Sequence, residues 1–161
     1  MKIFQNLFAK GETVIGSPMA GRLVSIQEVS DPTFGEEILG KGAAVIPTGN
    51  QVYAPIDGKV STVFPTGHAV ALTGLDGTEV LIHVGLDTVK LNGEHFKIHV
   101  ETDQDVKKGD LLLEADLEQI KAAGYDVITP IVICNTDEFS QIQAEPSKDV
   151  LPGDDILKLR K

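Results

Sequence analysis

The chain has no tryptophan, one cysteine and two methionines in 161 residues, and aromatic residues make up only 5%. The lone Cys134 excludes an internal disulfide and a cysteine-based zinc cluster, and suits a reducing cytoplasm. Basic residues are also scarce: 14 Lys and Arg stand against 24 Asp and Glu, a formal charge of −10. Such a field repels phosphate backbones and anionic lipid, so nucleic acid is not an expected partner. No apolar run approaches the ~20 residues of a membrane-spanning helix, and no apolar leader ends in a small-residue cleavage site. The expectation is a soluble, acidic, cytoplasmic chain without membrane insertion.

Turn-forming residues, by contrast, are plentiful, with 16 Gly and 8 Pro. The pieces between them are short and rich in Val, Ile, Leu and Thr: 22–26, 43–46, 59–64, 68–72, 79–84, 111–114 and 131–134. Short β-branched runs bounded by turn signals read as strands, so the fold class is all-β. The best helix is 116–123, stopped by Gly124, and a weaker one is read over 137–142. Two turn motifs recur. Ser17-Pro18-Met19-Ala20-Gly21-Arg22-Leu23 returns 37 residues later as Ala54-Pro55-Ile56-Asp57-Gly58-Lys59-Val60. Val106-Lys107-Lys108-Gly109-Asp110 returns 44 residues later as Val150-Leu151-Pro152-Gly153-Asp154. In the first pair Pro sets a corner and Gly is expected at positive φ. Whether this is a structural duplication or the same turn chemistry twice is left open by two copies. Residues 1–13 read as an N-terminal tail and 14–161 as one domain. Within the tail, Ile3, Phe4, Leu7 and Phe8 share a helical face, which fits a docked or frayed end better than a membrane contact.

The chemistry centres on His68 and His83. Asp76-Gly77 lies between the apolar runs that carry them, a strong hairpin signal. A four-residue loop, Gly74 to Gly77, would set Thr73 against Thr78 and His68 directly across from His83. A two-residue turn at Asp76-Gly77 would make them diagonal neighbours. Either register leaves the imidazoles on one face, within ~4.5–8 Å at Cβ. A three-residue loop would send them to opposite faces. Val80, Ile82 and Val84 form an aliphatic face suited to the core, so the His83 face should look outward.

A metal site would need further ligands, and the His-x-His pair of zinc peptidases with a related duplicated β architecture is missing, because Val84 and Gly85 follow His83. The Pro-x-x-Gly turns are shared with biotinyl and lipoyl carrier domains, but no Met-flanked Lys at a hairpin tip is present. Nucleophilic chemistry on a neutral imidazole remains, with the second ring donating to phosphoryl oxygens.

The chain resembles the glucose-type enzyme IIA of the bacterial phosphoenolpyruvate-dependent sugar phosphotransferase system. The resemblance runs from about Val14 to the end. It rests on Ser17-Pro18 with Gly21, Gly40-Lys41-Gly42, Pro47-Thr48-Gly49-Asn50 and Ala54-Pro55 with Asp57-Gly58. More specific are Thr66-Gly67-His68-Ala69 and the string from Ile82 through His83-Val84-Gly85-Leu86-Asp87-Thr88 to Val89. Leu91-Asn92-Gly93-Glu94 with Phe96, Lys108-Gly109-Asp110 and Thr129-Pro130 with Val132 extend it.

The resemblance implies an antiparallel β-sandwich, a barrel-sandwich or duplicated hybrid motif with short helical turns. It implies phosphorylation of His83 through Nε2, stabilisation of the phosphoryl group by His68, and a hydrogen bond from Thr66 to His68. The implied donor is the phosphohistidine of HPr, and the implied acceptor is a cysteine on the IIB domain of a glucose-type sugar transporter. No cofactor and no metal are implied. The family's docking patch maps onto Phe34, Ile38, Leu39, Phe64, Val70, Leu81, Asp87 and Val89. A monomer that meets successive partners is expected, and Met1 favours a free-standing protein over a piece of a fused transporter. A regulatory protein that binds transporters or metabolic enzymes through the same surface is the alternative; a zinc hydrolase ranks below both. His95 and His99 lie outside the motif in a strand-like alternation and are expected at the surface. Cys134, in an apolar run, is expected to be buried and inert.

Overall fold

The computed structural model describes residues 12–161. The hydrophobic stretch at Ile3, Phe4, Leu7 and Phe8 lies outside them. Among the described residues there are fourteen strands, and every pairing is antiparallel. In chain order they are β1 (Glu12–Gly16), β2 (Gly21–Ser25), β3 (Lys41–Pro47), β4 (Gln51–Tyr53), β5 (Gly58–Val63), β6 (Ala69–Gly74) and β7 (Glu79–His83). There follow β8 (Phe96–Ile98), β9 (Asp105–Val106), β10 (Leu111–Ala115), β11 (Thr129–Ile133), β12 (Gln141–Ala144), β13 (Lys148–Val150) and β14 (Asp155–Arg160). All seven strand runs of the sequence are among them. Two short α-helices, α1 (Pro32–Gly35) and α2 (Leu117–Ala122), and three 3₁₀ turns complete the described elements. None of the helices is long and apolar enough to cross a membrane.

The α2 helix forms as its sequence directs: the Asp116 carboxylate caps the Gln119 N–H at 3.2 Å, and Gly124 exits at φ +96°. The weaker helix at 137–142 is corrected. A 3₁₀ turn over Thr136–Glu138 gives way to β12, whose residues pair with β14. Ladder bonds to a neighbouring strand outcompete a helix too short to nucleate alone.

The eight-stranded sheet runs β13-β2-β3-β11-β7-β6-β5-β9, and three-stranded sheets β1-β14-β12 and β4-β10-β8 accompany it. This order is a palindrome about the β11–β7 seam, and the two sequence repeats explain it. Ser17 N–H donates to the Asp154 carbonyl at 2.7 Å, and Gly153 N–H returns to the Ser17 carbonyl at 2.9 Å. Ala54 N–H donates to the Asp110 carbonyl at 2.8 Å, and Gly109 N–H returns to the Ala54 carbonyl at 2.9 Å. The strand that follows each Pro-Gly turn pairs with the strand that precedes the other motif: Gly21 with Val150, and Gly58 with Val106. The structure therefore decides for duplication, because both motif pairs interlock in the same way.

One detail of the turn is corrected. Gly21 and Gly58 are not at positive φ. They are glycines because a Cβ would lie 2.2 Å from the Ile46 carbonyl oxygen in one copy and 2.2 Å from that of Thr73 in the other.

The main core gathers residues from Ile15 to Leu159, including Leu23, Val45, Leu72, Ile82, Leu112, Ile131 and Leu157. A second, smaller cluster lies on the opposite face of the large sheet. It contains Val24, Ile26, Val29, Phe34, Ala44, Ala69, Leu81, Leu86, Ile128 and Val132, with Phe64 and Ala71 packed at its edge. This cluster is the floor of the site. Glu12 and Thr13 already pair in β1, and the Glu12 carboxylate meets Arg160 at 3.1 Å, so the sheet takes up two residues assigned to the tail.

Candidate functional site

The β6–β7 hairpin closes by the third of the loop lengths weighed from the sequence, the one expected to send the histidines to opposite faces. Gly77 N–H donates to the Gly74 carbonyl at 3.0 Å, Gly77 takes φ +90°, and Gly74 N–H donates to the Thr78 carbonyl at 2.8 Å. The loop is therefore three residues, Leu75 to Gly77, with Gly77 as its left-handed member. The Asp76 carboxylate fastens it by accepting from Thr78 N–H at 3.0 Å and Thr78 Oγ1 at 2.7 Å. The resulting register sets Ala69, not His68, across from His83. The expected face-to-face or diagonal pairing is overturned.

The rings nevertheless meet. His68 precedes the first residue of β6, in a bend that follows Gly67 at φ +71°, so the alternation of the strand does not govern it. The two imidazole centroids lie 4.8 Å apart, with the rings at 82°. His68 is only 3% exposed while His83 is half-buried, so solvent meets His83 and His68 stands behind it. The side-by-side surface pair of the sequence reading becomes a front ring and a back ring.

Hydrogen bonds fix the chemistry of each ring. His83 Nδ1–H donates to the Gly85 carbonyl at 2.8 Å, which leaves the lone pair on Nε2. His68 Nδ1 meets Thr66 Oγ1 at 2.5 Å. Burial holds the His68 pKa down at about 4, aided by repulsion from His83. Burial also lowers the pKa of His83, against the opposing pull of the Gly85 carbonyl and the Asp31 and Asp87 carboxylates. Both rings are thus neutral at pH 7, the state a nitrogen nucleophile needs.

Two aromatic rings support them. Phe34 lies 4.9 Å from His83 between centroids, and Phe64 meets His68 edge-on at 5.5 Å. Phe34 is carried by α1, whose N-cap Asp31 accepts from Thr33 N–H at 3.0 Å. Asp31 is the site residue the sequence reading missed. The signal was available, since Asp-Pro is a helix start, but nothing in it said which way the helix would lie.

The residues expected to form a docking patch divide between surface and interior. Ile38 (69% exposed), Leu39 (41%) and Val89 (48%) stand out from the surface, and Asp87 is exposed beside them in sequence order. Phe64 is half-buried at the edge of the second cluster. Phe34 and Leu81 are buried in that cluster and shape the floor of the site. Val70 is a correction: its side chain is fully buried in the main core, because it sits on the other face of β6 from Ala69 and Ala71.

Other expectations resolve away from the histidines. Cys134 is exposed, not buried, since it falls just beyond the last residue of β11; partial burial and the Glu79 carboxylate raise its pKa. His99 is exposed and pairs with Glu114 at 2.6 Å, while His95 is half-buried in a turn at φ +76°. Among the described residues no group of three or more His, Cys, Asp or Glu is placed to hold a metal ion.

Comparison with known proteins places the chain in a family. Residues 13–139 match the model of the phosphoenolpyruvate-dependent sugar phosphotransferase system, EIIA 1. The chain is 41% identical to the glucose-specific EIIA component of Staphylococcus epidermidis, across 94% of this chain and 95% of that protein. It is 44% identical to the beta-glucoside-specific EIIBCA component of Bacillus subtilis, across 91% of this chain but 24% of that protein. The chain thus spans about a quarter of the length of such multidomain relatives. The solved structure of glucose permease IIA from Mycoplasma capricolum superimposes with a TM-score of 0.85 at 34% identity, covering 91% of this chain and 95% of that one. With the histidine pair on the shared fold and the family model across most of its length, the chain belongs to the EIIA 1 family of the phosphoenolpyruvate-dependent sugar phosphotransferase system.

Proposed function

We propose that the protein is a phosphoryl carrier of sugar uptake, taking a phosphoryl group from the phosphohistidine of HPr on His83 Nε2 and passing it to a cysteine of a glucose-type IIB domain. The observation that carries this reading is the Nδ1–H bond from His83 to Gly85, beside a second neutral ring at 4.8 Å. It supports Nε2 as the nucleophile, because Nδ1 is occupied by its proton. In the first step the Nε2 lone pair attacks phosphorus, and the N–P bond of the donor breaks with its electron pair returning to the donor imidazole. In the second a thiolate sulfur attacks, and the His83 N–P bond breaks back to a neutral ring.

In this reading Thr66 donates its hydroxyl proton to His68 Nδ1, so that His68 holds its own proton on Nε2 and offers it to a phosphoryl oxygen. Because His68 is almost fully buried, that donor acts in a dry, preorganised setting where it is strongest. Ile38, Leu39 and Val89 form an apolar rim for docking, and the chain from Glu12 onward acts as one unit in the cytoplasm. The acidic chain attracts basic partner surfaces, with an on-rate that falls as salt rises.

Incubation with phosphoenolpyruvate, enzyme I and HPr, followed by mass spectrometry, tests the reading. One acid-labile phosphate is expected on the wild type and none on His83→Gln; a phosphate that survives on a folded His83→Gln chain overturns the assignment.

A further inference from the structure

The string that carries His83 also contains Thr88, to which the mechanism above gives no task. Thr88 is fully buried, and its hydroxyl reaches back four residues to donate to the Val84 carbonyl at 2.5 Å. A threonine that bonds its own backbone in this way usually competes with regular structure. Here it closes the turn between β7 and the 3₁₀ segment Thr88–Leu91.

Both ends of that turn lead to the histidines. The Val84 N–H donates to the His68 carbonyl at 2.8 Å, so the peptide on either side of Val84 is tied to His68 on one hand and to Thr88 on the other. The next residue is Gly85, whose carbonyl receives the His83 Nδ1 proton. Gly85 has little freedom to turn. It holds φ +77°, and a Cβ there would lie 2.7 Å from the Thr88 methyl carbon and 2.8 Å from the Asp126 carbonyl oxygen. The Asp126 carbonyl also takes the Leu86 N–H at 2.9 Å, which pins the far side of the turn. The two branches of one β-branched side chain therefore act on adjacent peptides: the hydroxyl fixes Val84 and the methyl abuts Gly85.

We infer that Thr88 is a positioning residue for phosphoryl transfer, aiming the Gly85 carbonyl at His83 so that the ring keeps its proton on Nδ1 and its lone pair on Nε2. The Thr88 hydroxyl bonds the Val84 carbonyl and not either ring. Without its hydroxyl the Val84 carbonyl loses its partner, the turn relaxes, and His83 samples the tautomer whose Nε2 carries the proton and cannot attack phosphorus. This inference rests on the carrier reading for its kinetic consequence but not for its effect on the tautomer.

The test pairs two readouts on the full chain. Nitrogen-15 spectra of the imidazoles report the His83 tautomer, and single-turnover transfer from phosphorylated HPr reports the rate. Thr88→Val is expected to raise the Nε2–H population and to slow transfer at saturating donor at least about tenfold, the scale on which small misplacements act. Thr88→Ser should restore both. Should Thr88→Val fail to fold, Thr88→Ser and Thr88→Ala differ by the hydroxyl alone and carry the same comparison. A hydroxyl-free variant with wild-type tautomer and rate overturns the inference, as does Thr88→Ser behaving like Thr88→Ala. A wild-type chain that accepts no phosphate overturns the carrier reading instead, and the tautomer comparison still decides whether Thr88 governs His83.

Discussion

The two halves of the duplicated sheet are built from the same parts and do different work. Each opens with a Pro-Gly turn, each forms the same reciprocal pair of backbone hydrogen bonds, and each carries a cross-strand ion pair at the matching position. Arg22 meets Asp149 at 3.3 Å in one half, and Lys59 meets Asp105 at 3.5 Å in the other. Only the half with β5, β6 and β7 bears the histidines. The other half spends its connection between β2 and β3 on α1, which lays Phe34 against His83. Chemistry comes from one copy and its cover from the other, meeting at the β7–β11 seam. The lesson is that backbone bonding and the buried side chains fix the frame in both copies, while the side chain at the end of β7, His83, is left to the chemistry.

The sharpest way to break this comparison is at the back ring. His68→Gln should leave acceptance from HPr largely intact and slow transfer to IIB by about 10²–10³-fold, the usual cost of removing one preorganised donor. Equal loss of both steps in stopped-flow assays would contradict that division of labour. The frame itself should respond alike in both halves. Gly21→Ala and Gly58→Ala force the same collision with a carbonyl oxygen, and each should cost about 1–3 kcal/mol in denaturant unfolding, as overpacked sites do. A large difference between them would mean the copies are not mechanically equivalent.

Acid distinguishes the halves next. His68 binds its proton at about 4 in the folded chain and at 6.5 when unfolded. Between those values the unfolded state holds more protons, so stability is full above the unfolded value and falls as the pH drops through the window. The slope is about 1 kcal/mol per pH unit for that group. Burial of His83 acts in the same direction. Unfolding curves across pH should lose the His68 part of this slope in His68→Gln. The smallest effect belongs to the matched ion pairs, which are exposed. Asp149→Asn and Asp105→Asn should each change stability by less than about 1 kcal/mol. A larger change in one half alone would show that the pair there is more than decoration.

Much of this was legible in order of residues. Seven of the strands are marked by β-branched runs, since those side chains suit a pleated, half-buried surface. The strands at 12–16, 51–53, 96–98, 105–106, 141–144, 148–150 and 155–160 are not, because charged or polar residues interrupt them, although Ile15, Val52, Ile156, Leu157 and Leu159 still pack into the main core. The histidines were identifiable as a pair, yet their register was misread: both favoured loop lengths kept them on one face, and the chain used the third. The rings come together because His68 lies before the strand begins, in a bend after a left-handed Gly67. Val70 and Cys134 went the opposite ways from expectation, one inward and one outward, as residues at strand faces and strand ends do when only the neighbouring sheet decides their side.

The sequence by itself determined the all-β class, the turn positions, the residues able to do nucleophilic chemistry and the family they point to. These depend on local conformational preference and residue type, which a chain carries wherever it goes. Tertiary structure alone decided that the repeats interlock, that His68 stands behind His83, that Asp31 and Phe34 join the site from the other half, and that Nε2 of His83 keeps its lone pair. Each of these is a matter of distance and direction between segments far apart in the chain, set only when the sheets close and water leaves.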